Sequence, residues 1–391
     1  MLYMSGLDHH RAPISLRERL SFTQSGVVDL DRAIGGVSGV EGAVLLSTCN
    51  RTELYLSCGE AADPGALLCQ AAGVRFADFS GAFANRQGAD CARHLLEVAC
   101  GLQSQILGED QILTQVKRAA ALAREAGSAS ADLETLFRTA AACGKAAKNG
   151  GRLTRLPVSA AHQAVRSLEE RLGTLRGRQA LVIGNGEMGK LSARLLQEAG
   201  CRVTVTLRSY RHGETVIPAG CTAAAYEDRY GAMEGMDILL SATASPHYTV
   251  DEARFREVAR KPLLLVDLAI PRDIQPETGE LPGVTLWNVD DLGQADGTDA
   301  GELTRVRTLV ESYLADFHQW SAYRESIPAQ QMVKEAVWER VRHYVCPDMD
   351  GGEAARLAAE KTVELLAGGL KECLEAEDWQ NCARKIRAHT R

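Results

Sequence analysis

The string VIGNGEMG (182–189) constrains this chain more than any other. It holds Gly184, Gly186 and Gly189 in the order G-x-G-x-x-G. It follows an apolar run, QALVIG (179–184), and opens GEMGKLSARLLQEAG, whose apolar residues recur at helical spacing. In a strand–turn–helix setting each glycine has a separate task. Gly184 allows the tight turn, Gly186 lets backbone N–H groups approach a pyrophosphate, and Gly189 lets helix and strand pack closely. The helix N-terminus adds partial positive charge for the phosphates. Gly184, Asn185, Gly186, Glu187, Met188 and Gly189 are therefore the expected dinucleotide cradle.

The surrounding pattern agrees. CRVTVTL (201–207), MDILLSATA (236–244), KPLLLVDLAI (261–270) and GVTLWNV (283–289) read as further short apolar strands between helices or loops. That is the signature of an α/β, Rossmann-like domain with a parallel sheet. After Leu207 an NAD site usually carries Asp or Glu for the ribose 2′-hydroxyl. This chain has Arg208, Ser209, Tyr210 and Arg211 there. A guanidinium matches a 2′-phosphate, so Arg208 and Arg211 predict NADPH rather than NADH.

Three regions follow from the changes in pattern. In residues 1–58 strand and helix signals alternate, with a short helix expected from Ser15 to Phe22. Residues 89–148 read as helical, with Leu95, Val98, Leu102 and Ile106 on one face. NGGRLTRLPVS (149–159) reads as a hinge. From residue 303 onward the chain is charged and helical, and such a tail usually packs against another chain. The expected division is an α+β catalytic domain at 1–150, a cofactor domain at 151–292 and an all-α dimerisation domain at 293–391.

Composition excludes several classes. With 44 Lys+Arg against 51 Asp+Glu the net charge is −7, which argues against a dedicated nucleic-acid coat but not against a local basic patch. The eleven cysteines contain no C-x-x-C pair, so no metal site is expected and a reducing, cytoplasmic compartment is. The first residues lack a secretory pattern, and the apolar runs are too short to cross a bilayer.

Cys49 differs from the other ten. It lies at the polar end of an apolar strand, GAVLLSTCN (42–50), among Thr48, Asn50 and Arg51. Arg51 is the cation expected to favour the thiolate. A thiolate beside a dinucleotide suggests attack on an activated acyl group, followed by reduction of the thioester to an aldehyde. His94 is a candidate acid, base or orienting group, and a structural helical histidine is the commoner case. His9 and His10 receive no role.

Several long strings together resemble the glutamyl-tRNA reductase family: DHHRAPISLRERLSF (8–22), LSTCNRTELY (46–55), RHLLEVACGLQSQILGEDQILTQVK (93–117), VIGNGEMGKL (182–191), LVDLAIPRDI (265–274) and NVDDL (288–292). The resemblance implies that Cys49 attacks the ester joining glutamate to tRNA and that His94 matters for activity. It implies that Thr48, Asn50, Arg51, Ser104, Glu109, Asp110, Gln111 and Gln115 bind the glutamyl end. It implies NADPH as cofactor, glutamate-1-semialdehyde as product, a homodimer, and an aminotransferase as a partner that takes the aldehyde. Gln103, Asp110 and Thr114 stand where the family usually has Asp, Pro and Gly. Two other readings keep part of this pattern: a thioester-forming reductase acting on a non-tRNA acyl donor, and a non-catalytic tRNA-binding relative.

Overall fold

A computed structural model describes residues 1–48, 50–79, 81–104, 111–150, 159–208, 217–292, 300–344, 349–370 and 375–389. The chain forms two compact units, Met1–His318 and Gln319–Arg391.

The first unit begins with β1 (Leu2–Asp8), α1 (Ile14–Arg17), α2 (Gln24–Gly35), β2 (Val40–Ser47), β3 (Arg51–Cys58), α3 (Pro64–Ala71) and β4 (Ala84–Gln87). The strands form an antiparallel sheet in the order β2-β3-β1-β4. Helices α4 (Gly88–Ala99), α5 (Gln111–Ala126) and α6 (Ala131–Gly150) follow. Two N–H groups on the β2 edge of the sheet are bonded from outside it. Asp31 of α2 accepts the Leu45 N–H at 2.8 Å, and Ser128 accepts the Ala43 N–H on its carbonyl at 2.8 Å. Those two N–H groups are thereby withdrawn from pairing with another strand.

Two helix expectations need correction. The segment expected from Ser15 to Phe22 is a single α-turn that tightens into a 3₁₀ turn at Glu18–Leu20. Its buried residues Ile14, Arg17 and Leu20 recur every third position, which a 3₁₀ turn aligns on one side. The face drawn through Leu102 and Ile106 also breaks. Helix α4 stops at Ala99, where Gly101 takes φ +77°. The Gly101 N–H bonds Val98 O and the Leu102 N–H bonds Glu97 O, a glycine-dependent C-terminal cap. Ile106 lies outside the described residues.

The second sheet of this unit contains β5 (Gln179–Ile183), β6 (Arg202–Leu207), β7 (Thr222–Ala225), β8 (Ile238–Ser241), β9 (Leu264–Asp267) and β10 (Thr285–Asn288). All pairings are parallel, in the order β10-β9-β8-β5-β6-β7. This is the doubly wound dinucleotide order, whose direction reverses between β5 and β8. Strand β7 was not read from the sequence, because TAAA carries no β-branched or aromatic run beyond its threonine. Helices α7 (Ala160–Leu172), α8 (Glu187–Glu198), α9 (Arg229–Ala232) and α10 (Glu252–Glu257) complete the layers. Most of the expected hinge, residues 151–158, lies outside the described residues.

The charged tail is helical as expected: α11 (Ala300–Val341), α12 (Gly351–Leu370) and α13 (Ala376–His389). Val306, Val310, Leu314 and Phe317 of α11 are buried, while Tyr313 is half-buried. No described helix is long and apolar enough to cross a membrane.

Asp31 gives the sheet edge a pH dependence. Burial raises its pKa to about 7, against a smaller opposing effect of the Leu45 hydrogen bond. A carboxyl whose folded pKa is raised contributes stability at low pH and loses it as pH rises through the folded value. Asp31→Asn keeps an acceptor for Leu45 and cannot ionise. Thermal unfolding between about pH 5 and pH 8 is expected to show wild type losing several degrees relative to this variant. Parallel curves would refute a buried, ionising Asp31.

Candidate active site

The polar end of the β2–β3 hairpin is shaped by its own side chains. Thr48 N–H donates to Arg51 O at 2.8 Å. Thr48 Oγ1 accepts the N–H groups of Asn50 and Arg51 at 3.2 and 3.1 Å. Threonine is suited to this local bonding, which holds the chain in a turn. Cys49 itself lies outside the described residues, as do Glu109, Asp110, Ser209 and Arg211.

Beneath the turn lies a buried polar network. Strand β3 places Arg51, Glu53 and Tyr55 on one face, and α4 brings His94 to them. Glu53 Oε1 accepts from Arg51 Nη1 at 2.6 Å and contacts His94 Nε2 at 2.8 Å. Glu53 Oε2 accepts from Tyr55 OH at 2.6 Å. The Tyr55 ring meets Phe137 of α6 edge-on, with centroids 5.3 Å apart. Gly6 on β1 makes room for this, since a Cβ there would lie 2.5 Å from Glu53 Cγ. Burial alone would raise the Glu53 pKa, but His94 and Arg51 outweigh it and hold the carboxyl well below its usual range. Burial and the Glu53 charge push the Tyr55 phenol up.

Arg51, the cation expected to favour the thiolate, is itself buried and paired. It is 2% exposed, and its charge is met by Glu53. Its Nη2 donates to the Gln103 carbonyl, tying the turn after α4 to the hairpin. Gln103 in turn donates to Glu97 at 2.8 Å. A buried guanidinium must be paired, and β3 supplies the partner two residues away on the same face.

Of the other expected residues, Asn50 and His94 adjoin this frame, whereas Gln115 lies beside Leu45 and Ser47, which face away from Glu53. Ser104 is buried in the turn after α4, next to Gln103. Gln111 begins α5 half-buried, and Gln115, one turn on, shares a cavity of about 130 Å³ with Ser47. Asn50 and His94 are buried, and Asn50 Oδ1 and His94 Nδ1 have no partner among the described residues. The structure adds His9, whose N–H donates to Asn50 O at 3.1 Å. Burial first, then His10, Arg51 and Arg17, push the His9 imidazole down to about 4, against Asp8. It is a neutral ring beside the turn, and its position in sequence gave no signal of that.

The dinucleotide cradle lies where the second sheet reverses direction. A cleft of about 410 Å³ is lined by Gly184, Asn185, Gly186 and Arg208 on one side and Ala242, Thr243 and Ser245 on the other. Gly184 has φ +111°, and a Cβ on it would lie 2.4 Å from Ala242 O. A Cβ on Gly189 would lie 2.1 Å from Gly184 O, so this glycine sets the strand–helix approach. Gly186 has open space where its side chain would be, and it caps α8 without a side-chain bond. Backbone N–H groups at the start of α8 thus face space that a phosphate fits. Asn185 Oδ1 is a buried acceptor without a partner among the described residues. Glu187 is the exposed first residue of α8, and Met188 packs against the core instead of lining the cleft.

Arg208 extends past the end of β6. Its guanidinium lies 4.2 Å from the Tyr226 ring centroid, and Arg229 stacks on the same ring at 4.3 Å. The described residues lining the cleft include no carboxylate. The fold and cleft are those of a nicotinamide-nucleotide domain, and the residues present fit such a group.

Family models match the regions of both sheets. The family profile "Glutamyl-tRNAGlu reductase, N-terminal domain" matches residues 5–150, and "Shikimate / quinate 5-dehydrogenase" matches 166–295. Glutamyl-tRNA reductase from Alkaliphilus oremlandii is 39% identical over 330 residues, which cover 83% of this chain and 98% of the relative. The enzyme of that name from Acetivibrio thermocellus is 40% identical over 328 residues, with coverage of 83% and 98%. The solved glutamyl-tRNA reductase from Methanopyrus kandleri is 28% identical and aligns over 99% of this chain and 98% of its own, with a TM-score of 0.46. On its sequence relatives, the chain belongs to the glutamyl-tRNA reductase family.

Proposed function

We propose that this chain reduces the glutamyl group of glutamyl-tRNA to glutamate-1-semialdehyde with NADPH, through a thioester on Cys49, as the first step of tetrapyrrole biosynthesis. The observation that carries the reading is the pairing, in a chain of this family, of the Thr48–Arg51 turn with a glycine-built dinucleotide cleft.

The chemistry balances without ATP, because the ester is already activated. The Cys49 thiolate attacks the ester carbonyl carbon. The bond to the ribose oxygen breaks, that oxygen takes a proton, and tRNA leaves. Gly184, Asn185, Gly186 and Arg208 would hold a reduced nicotinamide nucleotide, which would supply hydride to the thioester carbonyl, giving the aldehyde and freeing the thiolate. Thr48, Asn50, Ser104, Gln111 and Gln115 offer hydrogen bonds to the glutamyl end, joined by Glu109 and Asp110. Arg51 braces the turn through Glu53 and Gln103, and Glu53 engages the His94 ring through Nε2, while Nδ1 is buried without a partner among the described residues. Arg208, stacked on Tyr226, is the group for the 2′-phosphate of NADPH.

The regional division follows the same reading: residues 1–150 bind the glutamyl end, 151–292 hold the cofactor, and 293–391 form a homodimer. The dimer reading is supported by exposed apolar residues of the second unit, including Tyr323, Met332, Trp338 and Val363. An aldehyde product is reactive, which favours direct hand-over to an aminotransferase.

Cys49→Ser is expected to lower semialdehyde formation from glutamyl-tRNA and NADPH by ~10³-fold or more, since it removes the nucleophile. Wild-type turnover by this variant would rule out the thioester. Arg208→Asp is expected to weaken NADPH by ~10- to 100-fold while NADH changes little, as loss of a charge-assisted bond implies. Equal weakening of both, measured by fluorescence titration, would remove the 2′-phosphate assignment.

A further inference from the structure

The segment after β9, residues 268–274, contacts both halves of the first unit. It is held rigidly at its base. Asp267, 1% exposed, accepts the Ala269 N–H at 3.0 Å on one oxygen and the Ile274 N–H at 2.8 Å on the other. One carboxyl thus bonds both ends of the segment. The Leu268 N–H donates to Ser241 O at 2.9 Å.

Asp273 turns toward the cofactor cleft. It is fully buried, and its carboxyl accepts three bonds. They are Ser241 Oγ, at the end of β8, at 2.7 Å, and, just beyond it, the Thr243 N–H at 2.7 Å and Thr243 Oγ1 at 2.5 Å. The Asp273 carbonyl also accepts the N–H groups of Thr249 and Val250 at 2.7 and 3.0 Å. Thr243 forms part of the cleft wall opposite the glycine turn. A Cβ on Gly184 would lie 3.1 Å from Thr243 Cγ2, so the wall and the turn are nearly in contact. The position of that wall therefore depends on Asp273.

Arg272, the adjacent residue, turns the other way. Its Nε and Nη2 bond the two oxygens of Glu18 at 2.9 and 2.6 Å, a bidentate pair with both side chains mostly buried. Ser21 Oγ donates to the carbonyl of Ile270 at 3.3 Å. Glu18 and Ser21 follow α1, whose Arg17 bonds Asp290 just past β10. Thr52, next to Arg51 on β3, donates to Leu20 O at 2.9 Å. A continuous bonded path thus runs from the hairpin through Leu20 and Glu18 to Arg272, Asp273 and the cleft wall.

We propose that residues 268–274 act as a two-sided fastener: Asp273 positions the cleft wall for the dinucleotide, and Arg272, through Glu18, holds the nucleophile-bearing sheet in register with that wall. Both are positioning residues, and the proposal rests on the thioester reading given above. It splits binding from transfer. Loss of the Asp273 bonds frees the wall and weakens the dinucleotide. Loss of the Glu18–Arg272 pair leaves each site intact and displaces one relative to the other.

The experiment uses the full-length enzyme and three readouts: NADPH affinity by fluorescence, acylation of Cys49 by glutamyl-tRNA without reductant, and single-turnover reduction after NADPH is added. Asp273→Asn removes the carboxylate charge and one of its two acceptor oxygens and is expected to raise the NADPH Kd by ~10-fold. Thr243→Val, nearly the same shape, is expected to raise it by ~3-fold and serves if Asp273→Asn does not fold. Glu18→Gln is expected to leave affinity and acylation unchanged and to slow reduction by ~10-fold, because small misplacements of reacting groups are costly. The charge-swapped pair Glu18→Arg with Arg272→Glu is expected to recover part of that rate. Unchanged affinity in both Asp273→Asn and Thr243→Val, or unchanged reduction in Glu18→Gln, would overturn the fastener. Failure of wild type itself to acylate Cys49 would instead overturn the thioester reading.

Discussion

One buried carboxylate, Glu53, sets the geometry of the N-terminal site. It lies on a central strand and receives Arg51, His94 and Tyr55 at once. Each partner reaches a different part of the structure. Arg51 holds the turn after α4, His94 comes from α4 itself, and Tyr55 packs on α6. A buried charge without partners would be strongly unfavourable, so the four groups are mutually obligatory. The consequence is a bonded floor that links β3, α4 and α6 beside the Thr48–Arg51 turn.

The second site depends on close backbone approach, not on charge pairing. Gly184 and Gly189 are required by distances that no side chain tolerates, while Gly186 leaves space open to a ligand. The strand order places this turn at the one position where the sheet direction reverses. Position along the sheet, absent side chains and an uncapped helix start therefore converge on one cleft.

Much of this was legible in the sequence because it is local. The glycine spacing, the apolar β5 run and the polar end of β2 are all contiguous features, and the structure places a strand, turn and helix where they predict them. Strand β3 was legible as a strand, yet its meaning was not. The alternation RTELYL suggests one wet face, but every residue from Arg51 to Cys58 is buried. Helices α4 and α6 cover the polar face, and a covering helix is a long-range event that spacing does not reveal. The same holds for Arg51, whose partner Glu53 was in plain view but whose burial was not. The LVDLAIPRDI string was recognised as a string. That its adjacent Arg272 and Asp273 turn to opposite sides follows only from the fold.

The central claim is that a cysteine-bound glutamyl group is reduced by direct transfer from the nucleotide cleft. NADPH deuterated at both C4 hydrogens, supplied with glutamyl-tRNA, tests it most directly by mass spectrometry of the trapped product. The account predicts deuterium on the aldehyde carbon of the semialdehyde. An aldehyde carrying only solvent hydrogen there would contradict it.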